Sequence, residues 1–137
     1  MSFNIHFADC GLGLILKRTV GTATSRELAH ALTAFFIQHN EALSALRYVY
    51  IDYTEADKLK VTTEDILQFV EIAKIIAFEN SKLVVAICAP EFENYCITKT
   101  WEVHLPDDFG WVTTAFRDPD RAKTWLKKVA QDDLMFV

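Results

Sequence analysis

The sequence predicts a single α/β domain, a mixed and mostly parallel sheet of about five strands flanked by four helices. Apolar segments of strand length alternate with segments of helical periodicity in the order β-β-α-β-α-β-α-β-α. That alternation yields parallel strands joined by helical crossovers, with one antiparallel pairing at the start. The chain of 137 residues suffices for one domain and is too short for two ordinary ones. It is 51% apolar, with ten Phe and three Trp against four Gly and three Pro. One packed core can be filled from this material without a disulfide or a metal.

Phe3, Ile5 and Phe7 alternate with Asn4, His6 and Ala8, a period-two strand. Residues 8 to 11 turn the chain, and Leu12 to Val20 makes a second, longer strand. Gly11 and Gly13 flank the turn of this hairpin. Thr24-Ser25-Arg26-Glu27 reads as a capping box. Its threonine hydroxyl accepts the third helical amide while the glutamate reaches back to the amide of Thr24. Leu28, Leu32, Phe35 and Phe36 continue that helix, and Asn40 is its expected stop.

Residues 47 to 52, RYVYID, are aromatic and β-branched, as a buried strand requires. Thr62 is the expected N-cap of the next helix, with Asp65 three positions on. At about 100° per residue, Ile66, Phe69, Val70, Ala73, Ile76 and Ala77 share one face. Leu67, Ile75 and Phe78 fall on the other side, among Glu71 and Lys74. A helix apolar on more than one side is deeply buried or has a second partner.

KLVVAICA, residues 82 to 89, is a nearly continuous apolar run ended by Pro90, the pattern of a central strand covered on both faces. Residues 91 to about 103 form a helix with Pro90 in its first turn, and residues 107 to 110 a loop. WVTTAFR, residues 111 to 117, is the last strand. Asp118 caps the final helix and Pro119 occupies its first position. Ala122, Trp125, Leu126 and Val129 make its apolar stripe, with Lys127 and Lys128 at the end the dipole favours.

The formal charge is -5, with acids and bases interspersed. No basic cluster tracks a phosphate backbone, so nucleic acid is not an expected partner. No apolar run approaches the roughly 20 residues of a bilayer span, and no targeting segment is visible, so no membrane insertion and a cytoplasmic location are expected. Cys10, Cys88 and Cys96 lack CxxC spacing and read as free thiols. The four histidines have no HExxH spacing, and neither a GxSxG elbow nor a phosphate-binding glycine loop is present. The expectation is no catalytic residue, no cofactor and no metal. Asp52 ends a strand where α/β sheets place functional groups. With Thr54, Thr62 and Thr63 it marks the expected ligand or partner loop, bracing and helix capping being the alternative.

Five stretches resemble SpoIIAA-like proteins of the STAS family, the fold of sulfate-transporter tails and anti-sigma-factor antagonists. They are GTAT at 21 to 24, RYVYIDYT at 47 to 54, TTEDI at 62 to 66, VVAICAP at 84 to 90 and AFRDPDRAKTWL at 115 to 126. The resemblance runs from about Leu14 to Leu126. In the phosphorylated antagonists a serine switch opens the helix after the middle strand, and Thr62 or Thr63 stands at that position. Here the acid before it and the glycine after it are absent. The helix bearing Tyr95, Lys99 and Trp101 is similar to a Tyr-Gly…Arg stretch of such sequences, with Cys96 and Lys99 in the Gly and Arg positions, and marks a second groove or interface.

The resemblance implies a non-enzymatic regulatory or protein-interaction module. A homodimer is expected through Leu67, Ile75 and Phe78, with another regulatory protein as a further partner. The alternative is a carrier of a small apolar, lipid-like ligand.

Overall fold

The alternation at residues 3 to 8 builds β1 (Phe3–Ala8), which a one-turn 3-10 helix at Asp9–Gly11 joins to β2 (Gly13–Arg18). The chain continues through β3 (Thr22–Thr24), α1 (Ser25–Gln38), a second 3-10 segment at Asn40–Ala45, β4 (Tyr48–Asp52) and β5 (Lys58–Lys60). It then forms α2 (Thr63–Glu79), β6 (Val84–Cys88), α3 (Phe92–His104), β7 (Val112–Phe116) and α4 (Pro119–Ala130). This computed structural model describes residues 3–104, 110–130 and 136, apart from the side chains of Ser25, Glu79, Trp101 and His104. Of the predicted loop at 107 to 110, all but Gly110 lies outside the described residues.

The main sheet has five strands in the order β1-β2-β4-β6-β7. Only β1 and β2 are antiparallel; the other three pairings are parallel. All five residues of β6 are buried, as its continuous apolar run demands. Successive residues of the central strands point to opposite faces. Leu14, Leu16, Val49, Ile51, Val85 and Ile87 join the larger core with α1 and α2. Ile15, Tyr48, Tyr50, Ala86 and Cys88 meet Ala122 and Leu126 of α4 on the other side.

Four expectations need correction. The second strand stops at Arg18 instead of Val20 because the Arg18 guanidinium is buried and folds the chain around itself. Its Nη1 donates to the Thr19 carbonyl at 2.9 Å and its Nη2 to the Thr22 carbonyl at 2.7 Å. The capping box is half made: Thr24 accepts from the Glu27 amide at 3.1 Å, but the Glu27 carboxylate takes Arg18 Nε at 2.9 Å. Pro90 precedes α3, and Glu91 caps it by accepting from the Asn94 amide at 3.1 Å. A two-stranded parallel sheet, β3 with β5, is additional; three-residue strands are too short to leave a period.

Gly13 is buried where the Tyr48 ring crosses β2, and a Cβ at Gly13 would overlap that ring. The Tyr48 hydroxyl donates to Asp9 at 2.5 Å, so the ring is held there. Gly13→Ala is expected to cost about 2 kcal/mol through overpacking, read as a lower urea midpoint with unchanged slope. An unchanged midpoint would show that the ring is free to move aside.

Candidate functional site

Lys17, Asp52 and Cys88 stand side by side at the carboxyl ends of β2, β4 and β6. This edge is where open α/β sheets bind ligands. Asp52 Oδ1 accepts from the Thr54 amide at 2.8 Å, an Asx turn that starts the following loop. Lys17 Nζ pairs with Glu55 at 2.6 Å. The hydrogen bond to Glu55, then its charge, raises the Lys17 pKa, with Asp52 adding a smaller push. Both side chains of the pair are almost half exposed, so the bridge contributes little to stability.

The rest of the loop is anchored by its backbone. The Tyr53 amide donates to the Cys88 carbonyl at 2.8 Å and the Asp57 amide to Gly21 at 2.9 Å. In β5 the Leu59 amide donates to the buried Asn94 side chain at 3.0 Å. Thr62 then accepts from the Asp65 amide at 3.1 Å and caps α2. Asp52 and Thr54 therefore sit at one end of the loop and Thr62 and Thr63 at the other, with β5 between them. Among the described residues no hydrogen bond joins the two pairs.

Cys88 is fully buried beside Tyr50. Burial pushes the thiol up from its ordinary 9.0 to about 11, and the Asp52 and Asp118 charges add to this. A protonated, buried thiol is a poor nucleophile at neutral pH. Burial also raises Tyr50, with Cys88 and Asp52 adding to it, and its hydroxyl has no hydrogen-bond partner among the described residues. Cys10 and Cys96 are exposed free thiols. Among the described residues no three His, Cys, Asp or Glu side chains are placed to hold a metal ion, and no helix is long and apolar enough to cross a membrane.

On α3, Tyr95 lines a shallow hollow of about 410 Å³ with Phe92, Phe116, Arg117, Asp118 and Arg121. Arg117 lies over the Phe92 ring at 5.5 Å and donates to the Pro90 carbonyl at 3.0 Å. Lys99 sits 5.6 Å above the Tyr95 ring and is held by Glu102 at 3.3 Å. The structure thus brings Tyr95 and Lys99 together; the Trp101 side chain lies outside the described residues.

The apolar flank of α2 is the other candidate surface. Ile66, Phe69, Val70, Ala73 and Ile76 are buried, whereas Leu67, Ile75 and Phe78 are 55%, 71% and 89% exposed. An open groove of about 430 Å³ runs between α1 and α2, lined by Phe36, Ile37, Leu43, Ile72, Ile75 and Ile76. Ile37, 76% exposed, was missed by sequence reasoning. Its signal was present: it lies on the polar side of α1, between Phe36 and Gln38.

Thr62→Ala is expected to cost about 1 kcal/mol as a lost N-cap, whereas Thr62→Asp, an equally good cap, is expected to stay close to wild type in thermal unfolding. Equal losses in both variants would refute the capping role. Stability is also expected to fall as pH rises from 9 toward 11. The Cys88 pKa is higher in the folded than in the unfolded chain, so the unfolded chain releases its proton first and unfolding gains. Tyr48, Tyr50 and Tyr53, also raised by burial, add to the loss. Urea midpoints measured across that interval check the sign.

No protein-family model and no curated protein matches the chain. Among solved structures it is similar to an uncharacterised protein of the DUF3478 family from Shewanella loihica PV-4, whose structure is described as having a SpoIIAA-like fold. The two share 19% identity, with a TM-score of 0.51 over 91% of this chain and 92% of that one. The strand order, the parallel crossovers and this likeness agree that the chain has a SpoIIAA-like α/β fold.

Proposed function

We propose that this protein is a non-enzymatic regulatory or interaction module that works as a homodimer, joined through the outer face of α1 and α2. The observation that carries the reading is the group of exposed apolar side chains Ile37, Leu67, Ile75 and Phe78 on two adjacent helices. Burying an isoleucine or phenylalanine is worth about 1.5–3 kcal/mol, and several large apolar side chains exposed on one surface mark an interaction site. The polar groups at the carboxyl edge support the same reading. Asp52 braces a turn, Lys17 pairs with Glu55, and Thr62 caps a helix. The loop at 53 to 62 is then the contact point for a second, regulatory partner.

A carrier of a small apolar ligand is the second reading, and the α1–α2 groove is its place. The groove fits it less well because two of its lining residues, Ile37 and Ile75, are mostly exposed. Sedimentation of wild type at micromolar concentration is expected to give a dimer, and Ile75→Glu a folded monomer. A monomeric wild type would overturn the homodimer, and a ligand mass retained in native mass spectrometry would favour the carrier.

A further inference from the structure

Leu67, Glu71, Lys74 and Phe78 succeed one another at spacings of four, three and four, so they form one straight stripe along α2. All four reach solvent. Leu67 and Phe78 are 55% and 89% exposed, and the Glu71 and Lys74 side chains 71% and 49%. Read along the helix, the stripe is apolar, acidic, basic, apolar. Turned end for end it meets itself with apolar on apolar and acid on base.

Resting on the homodimer reading above, we propose that two copies meet through an antiparallel α2–α2 pair, with the two-fold axis at the level of Ile72 and Ala73. In this register Leu67 faces Phe78 of the second copy and Glu71 faces its Lys74. Each contact is made twice, as an isologous interface requires. A parallel pair would instead set Glu71 on Glu71 and Lys74 on Lys74, which like-charge repulsion opposes. The antiparallel pair also sets the two helix dipoles antiparallel, each N-terminus toward the partner's C-terminus. Within one copy Glu71 and Lys74 already pair at 3.2 Å, so the second copy completes a cluster of four alternating charges.

The surface has the shape for such packing. Glu71, Lys74, Ile75 and Phe78 bound a shallow hollow. Their spacing of i, i+3, i+4 and i+7 is that of the hole that receives a side chain in knobs-into-holes packing. From Leu67 to Phe78 the contact runs about 16 Å, three helical turns. Ile75 broadens it toward α1. A contact of this size is expected to give a concentration-dependent dimer rather than a permanent one.

The test is charge reversal in the full chain. Glu71→Lys alone sets base on base across the axis, and Lys74→Glu alone sets acid on acid. Each is expected to weaken self-association roughly tenfold or more, with circular dichroism unchanged. Mixed together, the two variants regain attraction at both contacts and are expected to form a heterodimer of near wild-type affinity in sedimentation. The double variant Glu71→Lys/Lys74→Glu is expected to dimerise again. If single reversals leave the dimer intact, or the mixture associates no better than its components, while Ile75→Glu still gives monomer, the register is wrong and the homodimer reading survives. A wild type that is monomeric overturns both.

Discussion

At the end of β2, Arg18 turns its guanidinium inward, with only 6% of its side chain exposed. It donates to Glu27 in the first turn of α1, to the carbonyl and hydroxyl of Thr19, and to the carbonyl of Thr22. A buried guanidinium is tolerated only when its donors are satisfied, so the chain from Thr19 to Thr22 must wrap around it. That wrapping ends β2, releases β3 to pair with β5, and sets the position from which α1 leaves the sheet. Tyr53, fully buried after β4, lies close enough to feel the charges of both Arg18 and Glu27.

A second polar hinge works at the opposite end of the sheet. Asn80, just past α2, donates to the carbonyls of Leu43 and Leu46 and accepts from the Lys82 amide. Its own carbonyl takes the indole N–H of Trp111 at 2.8 Å. One side chain and one peptide thus join the approach to β4, the end of α2, the start of β6 and the approach to β7. With Arg18 at the carboxyl ends and Asn80 at the amino ends, the parallel strands are held from both sides by groups that saturate loop carbonyls.

These commitments bear on function. Around the carboxyl edge Asp52 braces a turn, Lys17 pairs with Glu55 and Thr62 caps a helix, and burial raises the pKa of the Cys88 thiol. On the outer side of α1 and α2 the apolar Ile37, Leu67, Ile75 and Phe78 face solvent, and elsewhere Val20, Phe92, Val103 and Val112 do so singly. The proposed homodimer would draw on the four apolar side chains of α1 and α2, while polar contacts at the sheet's ends hold the strands.

Much of the fold was legible in the chain because one-dimensional periods encode burial. The alternation at 3 to 7, the apolar run at 82 to 89 and the stripe of α4 each named their element, and Thr24, Thr62 and Asp118 marked helix starts within a residue. The apolar flank of α2 was legible too, since a wheel separates Leu67, Ile75 and Phe78 from the core face. Arg18, Asn80 and Asn94 were not. Asn80 and Asn94 take partners distant along the chain, 37 residues between Leu43 and Asn80 and 35 between Leu59 and Asn94, while the partners of Arg18 lie within nine residues but are reached only because the guanidinium turns inward. By itself the sequence determined the five main strands, the four helices, their order and the apolar flank of α2, all set by local propensity and patterning, but not β3, β5 or Ile37. Only the tertiary structure decided which polar side chains are buried and which loops they hold, because a hydrogen bond between distant segments leaves no period in either.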